Sequence, residues 1–369
     1  MKNKTKLLLT TALFSASLLA GCKKEEKLYF GFGSNATFVE NKAGLNRAKT
    51  AVANGYVQTD INFAAVLANE KGVIQQVRLD VAQIKAAASV KAEGEVKDAT
   101  VLTGKTNDEA KQDTKTKWEL LEDYGMTVAS PIEKEWYLQA EAFENWVVGK
   151  TVEQIKAEFV DYHGGDALKD GETIGVTMVV TEFVEVIEEA LEGKVEVAGL
   201  KAKDAKLGVG SLGSRGNDGN PAMQDNFTIA GAVFDGKKVV SKAKIDEYQI
   251  PYAAITETTV TVGEGEEATE EAALEVTVDK TKVQVDGTTI RSKHDQKGDY
   301  NMEPASPIGK EWFEQADSLV AYLEGKTLEA AFVENLVSEK GEEIGCTMAV
   351  ESYEHALLEA EQTAFNARY

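Results

Sequence analysis

Residues 124–153 read YGMTVASPIEKEWYLQAEAFENWVVGKTVE, and residues 300–329 read YNMEPASPIGKEWFEQADSLVAYLEGKTLE. Laid side by side without a gap they agree at half of their positions, including ASPI, KEW and GKT. The agreement continues downstream, where GETIGVTMVVTEFVEVIEEALE (171–192) matches GEEIGCTMAVESYEHALLEAEQ (341–362). It thins upstream, where QTDINFAAVLANEKGVI (58–74) stands opposite QDNFTIAGAVFDGKKVV (224–240). A repeat of roughly 165 residues is far too long for a solenoid period, so the chain reads as two homologous domains in tandem. The expected division is 27–197 for the first repeat, 198–206 for a linker and 207–369 for the second repeat.

Each copy carries the same order of elements. Apolar runs such as NFAAVLA and VIQQVRLDV, or FTIAGAVF and VVSKAKI, read as antiparallel strands with turns at Glu70–Gly72 and Asp235–Gly236. Polar, Gly-containing stretches (91–117 and 262–271) follow as surface loops or a weak hairpin. Ser130-Pro131 and Ser306-Pro307 read as an N-cap followed by proline at the first helical position. Trp136, Ala140 and Phe143 then share one helical face. Thr151 and Thr327 read as caps of a second short helix, and Phe183, Val184, Ile187 and Leu191 sit at the spacing of a last amphipathic one. Strands and helices are segregated along each copy, so the expected class is α+β, each domain an antiparallel sheet with packed helices.

Composition narrows the chemistry. The 369 residues hold 62 acids against 40 bases, a formal charge of −22, and such a surface repels phosphate backbones, so nucleic acid is excluded as a partner. Three His and two Cys leave nothing for a zinc site or a disulfide framework, and no metal is expected. Gly208-Val-Gly210-Ser-Leu-Gly213 satisfies GxGxxG, but a lysine-rich stretch precedes it and SRGNDGNPAMQD follows, which is not the strand–turn–helix context of a dinucleotide site. Gly149-Lys150-Thr151 and Gly325-Lys326-Thr327 end like a P-loop but lack its leading glycine. His163, His294 and His355 stand singly, and the acid-rich runs lack the ligand alternation of a calcium loop.

What remains is the repeated site Gly171-Glu-Thr-Ile-Gly175-Val-Thr177 and Gly341-Glu-Glu-Ile-Gly345-Cys-Thr347. Gly175 and Gly345 allow close backbone approach, and each threonine is placed just ahead of a helix whose free amides favour an anion. A phosphate on that hydroxyl is one reading. The other is a turn kept in both copies because they are duplicates.

The segment resembles the flavinylation site of FMN-binding domains, where an S/T-G-A-T-like sequence presents a threonine to a flavin transferase that esterifies FMN phosphate to its oxygen; Ile-Gly-Val-Thr177 and Ile-Gly-Cys-Thr347 keep its glycine and threonine and replace its small residues. The N-terminus adds a second resemblance. Lys2, Lys4 and Lys6 precede an apolar run from Leu7 to Ala20, too short to span a membrane, which ends in Leu19-Ala20-Gly21-Cys22. This is similar to the lipobox of bacterial lipoproteins and implies a signal peptide at 1–21, a lipidated Cys22 and a short tether at 22–26.

Together, lipobox, tandem copies and paired threonines resemble the FMN-carrying surface lipoproteins of Gram-positive flavin-based extracellular electron transfer. In that family a membrane NADH dehydrogenase reduces quinone, electrons pass through the flavins to extracellular acceptors such as ferric iron, and a signal-peptide fragment can act as a pheromone. The resemblance implies two covalent FMN groups, on Thr177 and Thr347, in a redox carrier lipid-anchored at the outer face of the cell membrane. The alternative is a cofactor-free, lipid-anchored surface binding or adhesion module. The repeated Trp136 and Trp312 have two readings, stacking on the flavin rings or core packing of the Ser-Pro helix.

Overall fold

The computed structural model describes residues 27–89, 101–102, 114–162, 168–216, 224–253, 256–263, 265, 268–333 and 340–366. The signal segment, Cys22, His163 and most of the 91–117 stretch lie outside the described residues.

The chain forms mixed α+β structure with antiparallel sheets and packed helices, as the element order predicts. The first copy lays down β1 (Leu28–Asn41), the small hairpin β2 (Gly44–Leu45) and β3 (Val52–Ala53), then β4 (Tyr56–Asn69), β5 (Ile74–Ser89) and β6 (Val101–Leu102). Its helices are α1 (Lys117–Leu120), α2 (Trp136–Val147), α3 (Val152–Lys156), α4 (Gly171–Ile174) and α5 (Thr181–Glu192), followed by β7 (Val195–Val197). The second copy repeats the plan with β8 (Lys206–Gly216), β9 (Gln224–Phe234) and β10 (Val240–Pro251). The hairpin β11 (Thr256–Val262) with β12 (Thr269–Glu275) and the short β13 (Val285–Asp286) and β14 (Thr289–Ile290) follow. The second helical set is α6 (Lys293–Gln296), α7 (Trp312–Leu323), α8 (Leu328–Ala331), α9 (Gly341–Ile344) and α10 (Glu351–Phe365).

The apolar runs are continuous because both faces of each sheet are covered. In β4, Val57, Ile61, Phe63, Ala65 and Leu67 point to one core while Ala64, Val66 and Ala68 point to another. The first face meets Phe227, Ile229, Val233 and Tyr248 of the second copy's sheet, with the Phe63 and Phe227 ring centroids 6.4 Å apart. The second face packs under α2 and α5. The mirror arrangement places Ala230, Ala232 and Phe234 of β9 under α7 and α10. The layers are therefore helix, sheet, sheet, helix, with the middle core shared by the two copies. The second copy also lends strands to the first copy's sheet, since β14 pairs with β1 at Thr37↔Thr289.

Two glycines per copy let a helix lie directly on a strand. A Cβ on Gly31 would stand 1.8 Å from the Ala190 carbonyl oxygen, and one on Gly33 would stand 2.2 Å from that of Val186. Gly208 and Gly210 meet Ala360 and Ala356 of α10 in the same way, at 1.8 and 2.2 Å. The Gly-x-Gly of the GxGxxG string is thus helix–sheet packing. The covering helix also satisfies strand amides: the Ser34 N–H donates to Glu189 at 3.1 Å and that of Ser211 to Glu359 at 2.6 Å.

Candidate functional site

Each G-x-x-x-G-x-T segment forms one helical turn and a left-handed stop. The amides of Gly175 and Val176 both donate to Gly171 O at 2.8 Å, and Gly175 leaves α4 at φ +88°. A side chain on Gly171 would meet the Val176 carbonyl at 2.4 Å, so both glycines are required by the turn. The second copy reproduces it, with Gly345 and Cys346 donating to Gly341 O at 2.8 Å and Gly345 at φ +82°. Val176 and Cys346 are buried, while Thr177 and Thr347 are half-buried and reachable from solvent.

The threonines are held by a residue that the sequence reading passed over. Gln139 of α2 is fully buried, and its Oε1 accepts from Thr177 N at 2.8 Å, Thr177 Oγ1 at 3.2 Å and Met178 N at 3.2 Å. Its Nε2 donates to Ser130 Oγ at 3.0 Å and to Lys134 O at 3.2 Å. Gln315 binds Thr347 N at 2.8 Å and Thr347 Oγ1 at 3.2 Å, and donates to Ser306 Oγ at 3.0 Å and Lys310 O at 3.2 Å. Ser-Pro, Lys-Glu-Trp, Gln and Gly-x-Thr, scattered over some fifty residues of each copy, are thus one hydrogen-bonded frame.

Two expectations are corrected by this frame. Ser130 and Ser306 are not N-caps, because α2 and α7 begin only at Trp136 and Trp312, with Glu135 and Glu311 as caps. Their hydroxyls instead orient the glutamine. The threonines do not sit at a helix N-terminus: α5 starts at Thr181, four residues after Thr177, and the Thr177 amide is spent on Gln139. The glutamates of the repeated Lys-Glu-Trp are buried. Glu135 turns inward to accept from Met126 N at 2.8 Å and Thr127 N at 3.0 Å, and Glu311 does the same with Met302 and Glu303. Burial alone would raise the Glu135 carboxyl, but the Thr127 hydroxyl and the amides of Thr127, Met126 and Trp136 hold it below the usual carboxylate range. The caps read at Thr151 and Thr327 are present, each accepting a backbone N–H three residues on.

The lysines of the two triplets point the other way. A Cβ on Gly175 would lie 3.0 Å from Lys134 Nζ, and one on Gly345 would lie 2.7 Å from Lys310 Nζ. An ammonium therefore covers the glycine two residues before each threonine.

Trp136 and Trp312 are core residues, 3% and 2% exposed, so neither offers a free face for ring stacking. Trp136 packs edge-on against Trp118 and Phe183. It also lines a cleft of about 370 Å³ whose wall mixes Tyr124, Met126 and Met178 with the polar Asp60, Asn62 and Glu182. In the second copy Glu247 and Tyr353 replace Val81 and Phe183. Trp312 Nε1 donates to the Tyr353 hydroxyl at 3.0 Å, that hydroxyl donates to Glu247, and Glu247 pairs with buried Lys293 at 2.9 Å. Burial first, and then the Glu247 carboxylate, raise the Tyr353 phenol's pKa. The first site thus has Val81 and Phe183 where the second has a charged, hydrogen-bonded chain.

His294 lies edge-on to Phe313 and 3.7 Å from Asp317, and His355 is exposed. Among the described residues no group of three or more His, Cys, Asp or Glu could hold a metal, and no helix is long and apolar enough to cross a membrane. No family model, curated protein or solved structure matches the chain.

Proposed function

We propose that the protein is an extracellular redox carrier, anchored to the cell membrane through Cys22, that holds FMN as a phosphoester on Thr177 and on Thr347. One observation carries the reading: in both copies a half-exposed threonine hydroxyl is presented in the same pose by a buried glutamine dedicated to it. The donor set fits the group. Esterification removes the hydroxyl hydrogen and with it one bond to Gln139 Oε1, while the Thr177 and Met178 amides keep theirs, so the loop stays in place. The Oγ–P bond forms as the pyrophosphate bond of a flavin dinucleotide breaks, and the hydroxyl proton leaves with the adenylate. A separate flavin transferase performs this step. The cleft that begins at Met178, next to Thr177 in the chain, offers Tyr124, Met126 and Met178 as apolar contacts and Asn62 and Gln83 as polar ones for a ring.

When bound, the flavin supplies electron exchange, and the protein's own part is to hold it, orient it and keep it from diffusing away. Electrons would come from a membrane NADH dehydrogenase and quinone and go to extracellular acceptors such as ferric iron or free flavins. The strongly acidic surface favours cationic acceptors by long-range steering, an effect that salt weakens.

The test is the intact mass of the full chain produced with a flavin transferase, for wild type, Thr177→Val, Thr347→Val and the double variant. Two FMN-minus-water increments, one in each single variant and none in the double, are expected. No increment in wild type, with the transferase active on a control substrate, leaves the cofactor-free surface binding module as the reading.

A further inference from the structure

The frame uses Lys134 and Lys310 only through their backbone amides and carbonyls, and leaves their side chains to the same place in each copy. Neither ammonium has a carboxylate within ion-pair distance among the described residues. The adjacent acids cannot serve, because Glu135 and Glu311 are turned inward onto backbone amides. Instead both lysines reach over the glycine that precedes the threonine by two residues, close enough that any side chain there would press on Nζ. The absence of a side chain at 175 and 345 is what leaves the ammonium room beside the Gly-x-Thr loop.

We propose that Lys134 and Lys310 are the counter-charges of the phosphate carried on Thr177 and Thr347, each holding a phosphoester monoanion against the loop. The inference rests on the flavin reading of the two threonines and adds the residues that seat the phosphate. A lysine suits a diester because it acts as a point charge and needs no fixed fork geometry. The two seats differ in preparation. Lys310 Nζ donates to Ser318 Oγ at 3.1 Å, and Ser318 in turn donates to Glu314 O at 2.8 Å, so this ammonium is held before any phosphate arrives. Ala142 stands in the place of Ser318 in the first copy, and Lys134 is exposed and free to swing.

The experiment compares the full chain with and without attached flavin by lysine ¹³C NMR, reading the Cε resonances of the two side chains, with phosphorus NMR on the loaded form. Loading is expected to move the Cε resonances of Lys134 and of Lys310, because a phosphate charge comes to lie against each ammonium. The Lys134 displacement should vanish in Thr177→Val and the Lys310 displacement in Thr347→Val. Lys134→Met should move the phosphorus resonance of the Thr177 ester alone, and Lys134→Arg should hold it near its wild-type position. Loaded protein whose two lysine resonances stand where they do in the unloaded form overturns the phosphate seat and leaves the flavin reading standing. Protein that gains no flavin mass overturns both.

Discussion

The side-chain carbonyl of Gln139 accepts three hydrogen bonds from the loop that carries Thr177, two of them from Thr177 itself. Gln139 is fully buried, so Gln139→Leu strands these donors without water to replace the acceptor. We expect a loss of about 2 kcal/mol in urea unfolding, near the middle of the range for unsatisfied buried groups. Thr177 should also lose its flavin mass increment selectively, with Thr347 loaded as before.

The Gly-x-Gly pairs predict a second sensitivity. Gly33→Ala and Gly210→Ala each drive a methyl to within 2.2 Å of a helix carbonyl oxygen, and backbone on both sides leaves nothing flexible to give way. Overpacking of this kind should cost about 3 kcal/mol, read as a lower urea midpoint with unchanged slope. Gly72→Ala is a poor control because of its positive φ; Gly44→Ala, with open space around it, should be close to neutral.

Glu247 and Lys293 are both 8% exposed in their side chains and lie 2.9 Å apart. Glu247→Val, which copies Val81 of the first repeat, leaves a buried ammonium unpaired and should destabilise by about 3–5 kcal/mol. The double variant Glu247→Val/Lys293→Met should recover much of that loss, because it removes the charge along with its partner.

Stability should fall as the medium passes from mildly acidic to neutral. Desolvation against the sheet first, then the negative charge of Asp295 and also that of Asp246, push the Glu189 carboxyl from its ordinary 4.5 up to about 7, against the opposing Ser34 amide and Lys244, and because this residue is exposed, solvent screens part of its contribution. Between those values the folded chain keeps a proton that the unfolded chain has shed, so rising pH favours unfolding across that window. Fully buried Asp246, raised to about 6, acts in the same sense from its ordinary 3.8 upward. Glu135 acts oppositely, since its depressed carboxyl loses stabilisation as pH falls. The melting temperature should therefore decline from pH 5 to pH 7.5, and Glu189→Gln should flatten part of that decline.

Much of the architecture is legible in the sequence because its signals are local. Continuous runs such as NFAAVLA report strands buried on two faces, and Thr151 and Thr327 report caps through their own hydroxyls. The site was legible only in part. Thr177 and Thr347 stand out by duplication, but their partner glutamines lie 38 and 32 residues upstream and the contact is tertiary. A signal did exist. Gln139 follows Trp136 by three positions and precedes Phe143 by four, so a polar amide sits squarely on the apolar stripe of α2, and it recurs at Gln315. A polar side chain on such a stripe needs a buried partner. Ser130-Pro131 misled because the serine's hydroxyl serves a residue nine positions on rather than the next turn.

The pairing of Thr37 with Thr289 also sets a schedule for making the protein. The outer edge of β1 is completed by chain that is added about 250 residues later, and the inner face of its sheet is covered by strands that follow β4 by roughly 165 residues. At about 5–20 residues per second, a ribosome needs on the order of ten to thirty seconds to supply the covering strands. Throughout that interval the half-made molecule shows a bare aromatic sheet to its surroundings. Whatever receives the nascent chain must shield that sheet, and a gene cut back to a single copy would leave it without a cover.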